Sequence, residues 1–258
     1  MNLINYFDFE KNDNFNIYRL KPENIENFLH EITLEFRQCY IADNMLKEKA
    51  KKNKMLMSKF LEEFILPSKG NIKACDFGEM LSYFFVIEHY DFKGIMLFSP
   101  RKWQWKQDKN KAMPFSDAVC FHREDKTTSS KHDFVVCVES KMRATKSDIN
   151  IHRIQEAIEG ANTDKISRLT KTLLWLRAKY AKDGDMEMRT YIERYLEPVE
   201  RNTYKKIFKA FTILDKEFEN IEISQPIINV NDISIIIITM DNLKDIYERN
   251  LKWILESV

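Results

Sequence analysis

The run ISIIIITM, Ile233 to Met240, constrains the fold of this chain more than any other stretch. Five of its eight residues are isoleucine, whose β-branched side chain suits a strand. Its apolar residues are continuous rather than alternating, so the composition predicts a fully buried strand. Eight residues also fall far short of the roughly 20 needed to cross a bilayer. A strand of this kind belongs in a sheet with helices packed against it.

The flanking sequence supplies those helices and further strands. Residues 1–20 suggest a short irregular or β lead-in. From Pro22 to about Leu66, apolar residues recur at helical spacing, as in Phe28, Ile32 and Phe36, and predict two or three helices ending near Pro67 and Gly70. DFGEMLSYFFVIEHY then predicts a deeply packed helix, with Asp76 as its cap and Leu81, Phe84 and Phe85 along it. Strands are expected at residues 93–99, 117–121 and 133–141, with REDKTTSSKH as the hairpin loop between the last two. Ser147-Asp148 can start the next helix. Helical pattern continues through NIHRIQEAIEGAN and DKISRLTKTLLWLRAKYAK to a breaker, Asp183-Gly184-Asp185, and resumes toward Leu196. A strand within 204–214, the isoleucine run and a terminal helix complete the chain. The fold class is therefore α/β: a mixed central β-sheet flanked by helices. Residues 1–70 form a helical N-terminal elaboration packed on the core, and 71–258 form the main domain with a helical insertion at about 148–203.

A chain of 258 residues with 44% hydrophobic content sustains one substantial core. Charged residues make up 31%, yet the formal net charge is only +1, so any basic surface must be local. Cys39, Cys75, Cys120 and Cys137 form no CxxC pair and suit free thiols in a reducing compartment. The N-terminus lacks a basic-then-apolar leader. A soluble cytoplasmic protein without membrane contact is expected.

The chemistry concentrates at the ends of two predicted strands. Glu139-Ser140-Lys141 closes the apolar run Phe134–Val138. Residues two apart on a strand share a face, so Glu139 and Lys141 are neighbours. Asp117 opens the preceding strand, and an antiparallel hairpin would set it beside Glu139. Two adjacent carboxylates repel unless a cation intervenes. A hard ion such as Mg²⁺, held by one or two carboxylates plus waters and phosphate oxygens, resolves that repulsion. The Lys141 amine can position or deprotonate a water, or offset charge on an attacked phosphate. These groups suit phosphodiester hydrolysis. E-x-K alone is more often a strand-end ion pair; Asp117 and a preceding helix bearing Glu79 favour a reactive centre.

The order Glu79 on a helix, PFSD ending in Asp117, then Glu139-Ser140-Lys141 resembles the PD-(D/E)xK nuclease superfamily. GEMLSYFFVIEHY, PFSDAV and VCVESKMR further resemble the HamA-type nuclease subunit of the Hachiman anti-phage defence system, over roughly residues 76–160. The resemblance implies Asp117, Glu139 and the Ser140 carbonyl as ligands of Mg²⁺ or Mn²⁺, and Lys141 as the catalytic lysine. It implies that Glu79 orients a metal-bound water or binds a second ion. It also implies a DNA substrate and a superfamily 2 helicase partner that restrains the nuclease. Gln155 matches loosely a polar position on the helix after E-x-K, although a solvent-facing glutamine is the plainer account.

PRKWQWKQDKNKAMPFSD, just ahead of Asp117, is locally basic. Lys102, Lys106, Lys109 and Lys111, with Arg143 and Lys146 after the E-x-K, are the expected nucleic-acid contacts. Trp103 and Trp105 either stack on bases or anchor the segment to the core. His122, His132 and His152 form no zinc pattern and are expected to be structural. Two other functions compete: a stand-alone restriction-type endonuclease, for which no recognition domain is visible, and a catalytically silent adaptor, which has no need of the charged cluster.

Overall fold

The isoleucine run lies inside a six-stranded sheet. The structure, a computed structural model, describes residues 2–12, 14–125, 127–146, 151–196 and 204–258. Its strands are β1 (Phe7–Lys11), β2 (Asn16–Leu20), β3 (Ala118–His122), β4 (Phe134–Arg143), β5 (Lys205–Asp215) and β6 (Ile233–Met240), in the order β1-β2-β6-β5-β4-β3. The four inner strands run parallel to one another, and β1 and β3 pair antiparallel at the two edges. The sheet is mixed and helices cover it on both sides, as the composition of β6 requires.

Side-chain alternation divides the core into two layers. Ile236, Ile238 and Met240 of β6 face the same side as Phe211, Ile213, Val136 and Val138. On that side pack α1 (Ile25–Tyr40), α4 (Gly70–Asp91) and α9 (Leu243–Glu256). Ile233, Ile235 and Ile237 face the opposite layer with Phe208, Ala210, Val135 and Cys137. There they meet α5 (Arg153–Thr163), α6 (Leu169–Asp183) and α7 (Met186–Leu196). A π-helical turn, Asp164–Arg168, joins α5 to α6, and Gly184 at φ +76° ends α6 within the predicted breaker. The proposed helix start at Ser147-Asp148 lies outside the described residues. Among the described residues, no helix is long and apolar enough to cross a membrane.

Three local expectations need correction. The first twenty residues do more than lead in: β1 and β2 form a hairpin, and β2 pairs with β6 to extend the sheet. The boundary at residue 70 therefore does not follow the sheet. Residues 93–99 are not a strand. Gly94, at φ +69°, turns the chain after α4, and only Phe98 bridges to Phe121. Asp76 does not cap α4, which begins six residues earlier, where the Asn110 side chain accepts the Ser68 and Lys69 N–H groups.

Instead Asp76 is buried within α4 and bound by the segment expected to meet nucleic acid. Lys106 Nζ lies 2.6 Å from both Asp76 oxygens, and Tyr40 Oη donates to Oδ2 at 3.0 Å. Burial raises the Asp76 pKa, and Lys106 opposes that rise. Trp103 is fully buried against Tyr83, while Trp105 packs on Trp175 and Tyr180 and donates to Asp183 at 2.9 Å. Both tryptophans are anchors.

Ile237→Ala, in the doubly covered strand, is expected to lower unfolding free energy by about 2–5 kcal/mol in guanidinium titrations, whereas exposed Ser234→Ala stays within about 0.5 kcal/mol. Lys106→Ala strands a buried charge and should cost about 3–5 kcal/mol. Adding Asp76→Asn should recover part of that loss; an additive double mutant would show that the pair is not coupled.

Candidate active site

The β3–β4 register builds the centre. Ala118 lies opposite Val138, so continuing the pairing one step sets Asp117 opposite Glu139 on the same face. Asp117 Oδ2 accepts a hydrogen bond from the Ser140 amide at 2.8 Å, which ties the start of β3 to the middle of β4. The N–H and C=O of a strand residue point the same way, so the Ser140 carbonyl also faces Asp117. Its side chain turns to the opposite layer, where Ser82 Oγ of α4 donates to Ser140 Oγ at 3.1 Å.

Glu139 is only 2% exposed. Its carboxylate lies over Gly160 of α5, where a Cβ would collide with it. Lys141 Nζ pairs with Oε1, and Arg168 Nη2 with Oε2. Burial pushes the Glu139 pKa up to about 7, and the Asp117 charge adds to the rise against the pull of both cations. Burial works against the Lys141 ammonium, but the fields of Glu139 and Asp117 prevail and raise its pKa above the ordinary lysine value.

Glu79 comes from α4 and sits at the margin of this cluster. Trp103 Nε1 donates to its Oε2 at 3.0 Å, and Lys102 Nζ lies 3.1 Å from the same oxygen. Cys75 Sγ donates to Oε1 at 3.1 Å. Burial raises the Glu79 pKa to about 7; Lys102 opposes this and Asp117 reinforces it. Its two oxygens are thus engaged by protein groups.

Among the described residues, no three His, Cys, Asp or Glu side chains gather closely enough to hold an ion by themselves. The donors that do converge are two carboxylates, Asp117 and Glu139, and one backbone carbonyl. Asp117 Oδ1 accepts no hydrogen bond from any described residue. This all-oxygen set, with charge left over, suits Mg²⁺ completing its shell with water and phosphate, and does not suit a closed zinc cage.

The expected nucleic-acid contacts separate into two groups. Lys102 is buried, its Nζ donating to Ser116 O at 3.0 Å besides pairing with Glu79. With Lys106 on Asp76, neither amine is available to a phosphate. Arg143 is likewise committed: it pairs with Glu222 at 2.8 Å, lies over the Phe218 ring and leaves only 9% of its side chain exposed. Each of these three cations neutralises a buried acid, and Arg143 also lines the groove beside the cluster. Lys109 donates to Glu62 O at 2.6 Å; Lys111 and Lys146 are exposed. Gln155 bridges Glu159 and the Ile228 amide. His122 stacks on Phe134, and His132 is exposed. His152 is half-buried beside α5.

A groove of about 590 Å³ opens onto the cluster between the start of α4, the end of β4 and α9. Its lining includes Asn71, Ser140, Lys141, Thr145 and Lys244. The Lys244 ammonium is exposed and binds no other described residue. Sequence reasoning missed Lys244, Arg168 and Asp164, because each belongs to a helix whose charged pattern resembles an ordinary solvated face.

The comparisons bear on the whole of this architecture. A search of curated proteins returned no match. The family described as HamA matches residues 2–254, from the edge hairpin through the sheet and into α9. This chain therefore belongs to the HamA family.

Proposed function

We propose that this protein is a metal-dependent nuclease that hydrolyses DNA phosphodiester bonds. It would act in the cytoplasm as the effector subunit of a Hachiman-type anti-phage complex, restrained by a superfamily 2 helicase partner. HamA membership supports the role as a Hachiman defence component. The chemical reading rests on one observation: Asp117, Glu139 and Lys141 face one another across the β3–β4 hairpin.

Asp117, Glu139 and the Ser140 carbonyl would hold the ion. Bound there, Mg²⁺ would polarise a phosphate oxygen and make water a stronger acid. Lys141, paired with Glu139, stands where its amine can offset charge developing on the attacked phosphate or position a water. Glu79, fixed by Trp103 and Lys102, is held in reserve at the margin, where it can accept a hydrogen bond from water. The groove past Lys141 supplies a path for the phosphate backbone, with Lys244 in place of the inward-turned lysines.

With the helicase partner present and released from restraint, the purified protein should nick or linearise plasmid in Mg²⁺ and stop when chelator is added. Glu139→Ala and Lys141→Ala should each lower the rate by at least about 100-fold while circular dichroism stays unchanged. Cutting at the wild-type rate by both variants would refute the site; inertness of all three proteins would favour an adaptor.

The groove has its own test. In fluorescence-anisotropy titrations with the Glu139→Ala protein, adding Lys244→Ala should flatten the slope of log K against log salt by about 1. An unchanged slope would place the phosphate path elsewhere.

A further inference from the structure

As it passes the candidate site, the helical arm α5–α6 departs from α-helical form. Between Asp164 and Arg168 it widens into a π turn, a local form that often marks functional positions. Arg168 spreads its guanidinium over three acceptors. Nε donates to Asp164 Oδ1 at 2.6 Å, while Nη2 donates to Gly160 O at 2.9 Å and to Glu139 Oε2. Asp164 is itself buried, and its Oδ1 also accepts from Ser116 Oγ at 2.7 Å. Ser116 immediately precedes Asp117. One turn of helix therefore reaches both carboxylates: Glu139 through Arg168, and Asp117 through Ser116.

We infer that Arg168, tethered by Asp164, is a positioning residue that holds the Glu139 carboxylate in a single orientation and so prepares it to bind a divalent cation. This rests on the metal-dependent reading above. Three features carry it. The Arg168 fork is planar and its Nε and Nη2 are both engaged, so it behaves as a bracket rather than as an arm free to swing aside. An ionised carboxylate has about four acceptor sites; Lys141 on Oε1 and Arg168 on Oε2 leave others open to an ion. The third is the notch at Gly160, which lets the carboxylate lie against α5 within reach of the bracket. Carboxylate ligands held by outer hydrogen bonds typically lose 10–100-fold in metal affinity, as an order of magnitude, when that support is removed.

The test measures Mn²⁺ binding directly, by calorimetry and by electron paramagnetic resonance of free Mn²⁺, on the full-length protein. The wild type should bind, and Glu139→Ala should not. Arg168→Ala should bind about 10–100-fold more weakly at a temperature where circular dichroism shows it still folded, although it strands two buried carboxylates and should unfold at a lower temperature; Arg168→Lys should restore part of the lost affinity. Gly160→Ala is an independent variant that removes no charge and favours helix, yet displaces the carboxylate; it too should weaken Mn²⁺ binding. Wild-type affinity in both Arg168→Ala and Gly160→Ala would overturn the positioning role while leaving the metal site intact. Tighter binding by Arg168→Ala would overturn it as well, showing that the guanidinium competes with the ion. Absence of Mn²⁺ binding by the wild type would sink the metal-dependent reading and this inference together.

Discussion

A carboxylate taken out of water must be met by opposite charge or protonated, and Glu139 is the point where this protein confronts that choice. Its side chain is buried beside a second acid, Asp117, and two cations close on it from different elements. The same pattern recurs around it. Lys102 meets Glu79, Lys106 meets Asp76, and Arg168 meets both Asp164 and Glu139. Serine links the pieces: Ser116 accepts Lys102 on its carbonyl and donates to Asp164 from its hydroxyl. The result is a connected polar network surrounding Asp117.

That network exists because strand β4 serves both layers of the fold. Alternation turns Glu139 and Lys141 toward α5 and turns Ser140 toward α4. Edge strand β3 is short and begins at Ala118, so beyond it the end of β4 is free of a strand on that side. Asp117 occupies the place where pairing stops. A polar cluster at the end of a truncated edge strand has access to both helical layers and to solvent through the groove, which no position within the paired sheet would have.

The near-neutral net charge acquires a meaning from the same contacts. Several of the basic residues near the cluster, Lys102, Lys106, Arg143 and Arg168 among them, are spent on acids that the fold buries. Cationic groups that line the groove beside the cluster include Lys141, Arg143, Arg153 and Lys244. Local supply of positive charge at one groove, rather than a basic protein as a whole, is what a phosphate backbone would encounter.

The sequence by itself determined the class of the fold and the juxtaposition of Asp117, Glu139 and Lys141. ISIIIITM could only be a doubly covered strand, and its bounds match β6 residue for residue. Period-two spacing set Glu139 and Lys141 on one face, and the polar loop between two apolar runs set Asp117 against them. These are local rules, acting over a few residues, so they can be read from a string. Tertiary structure decided the rest. Whether a lysine meets solvent or a buried acid depends on what another helix brings to it, as Asp76 and Glu79 of α4 do for Lys106 and Lys102. Arg168 shows the same dependence from the far side, since Glu139 lies 29 positions away in the chain. The hairpin β1–β2 joined the sheet through a parallel partner more than 200 residues distant, as Ile17 pairs with Ile237. Charge pairing and parallel strand pairing are both settled by which surfaces meet in space, and periodicity along one segment carries no record of that.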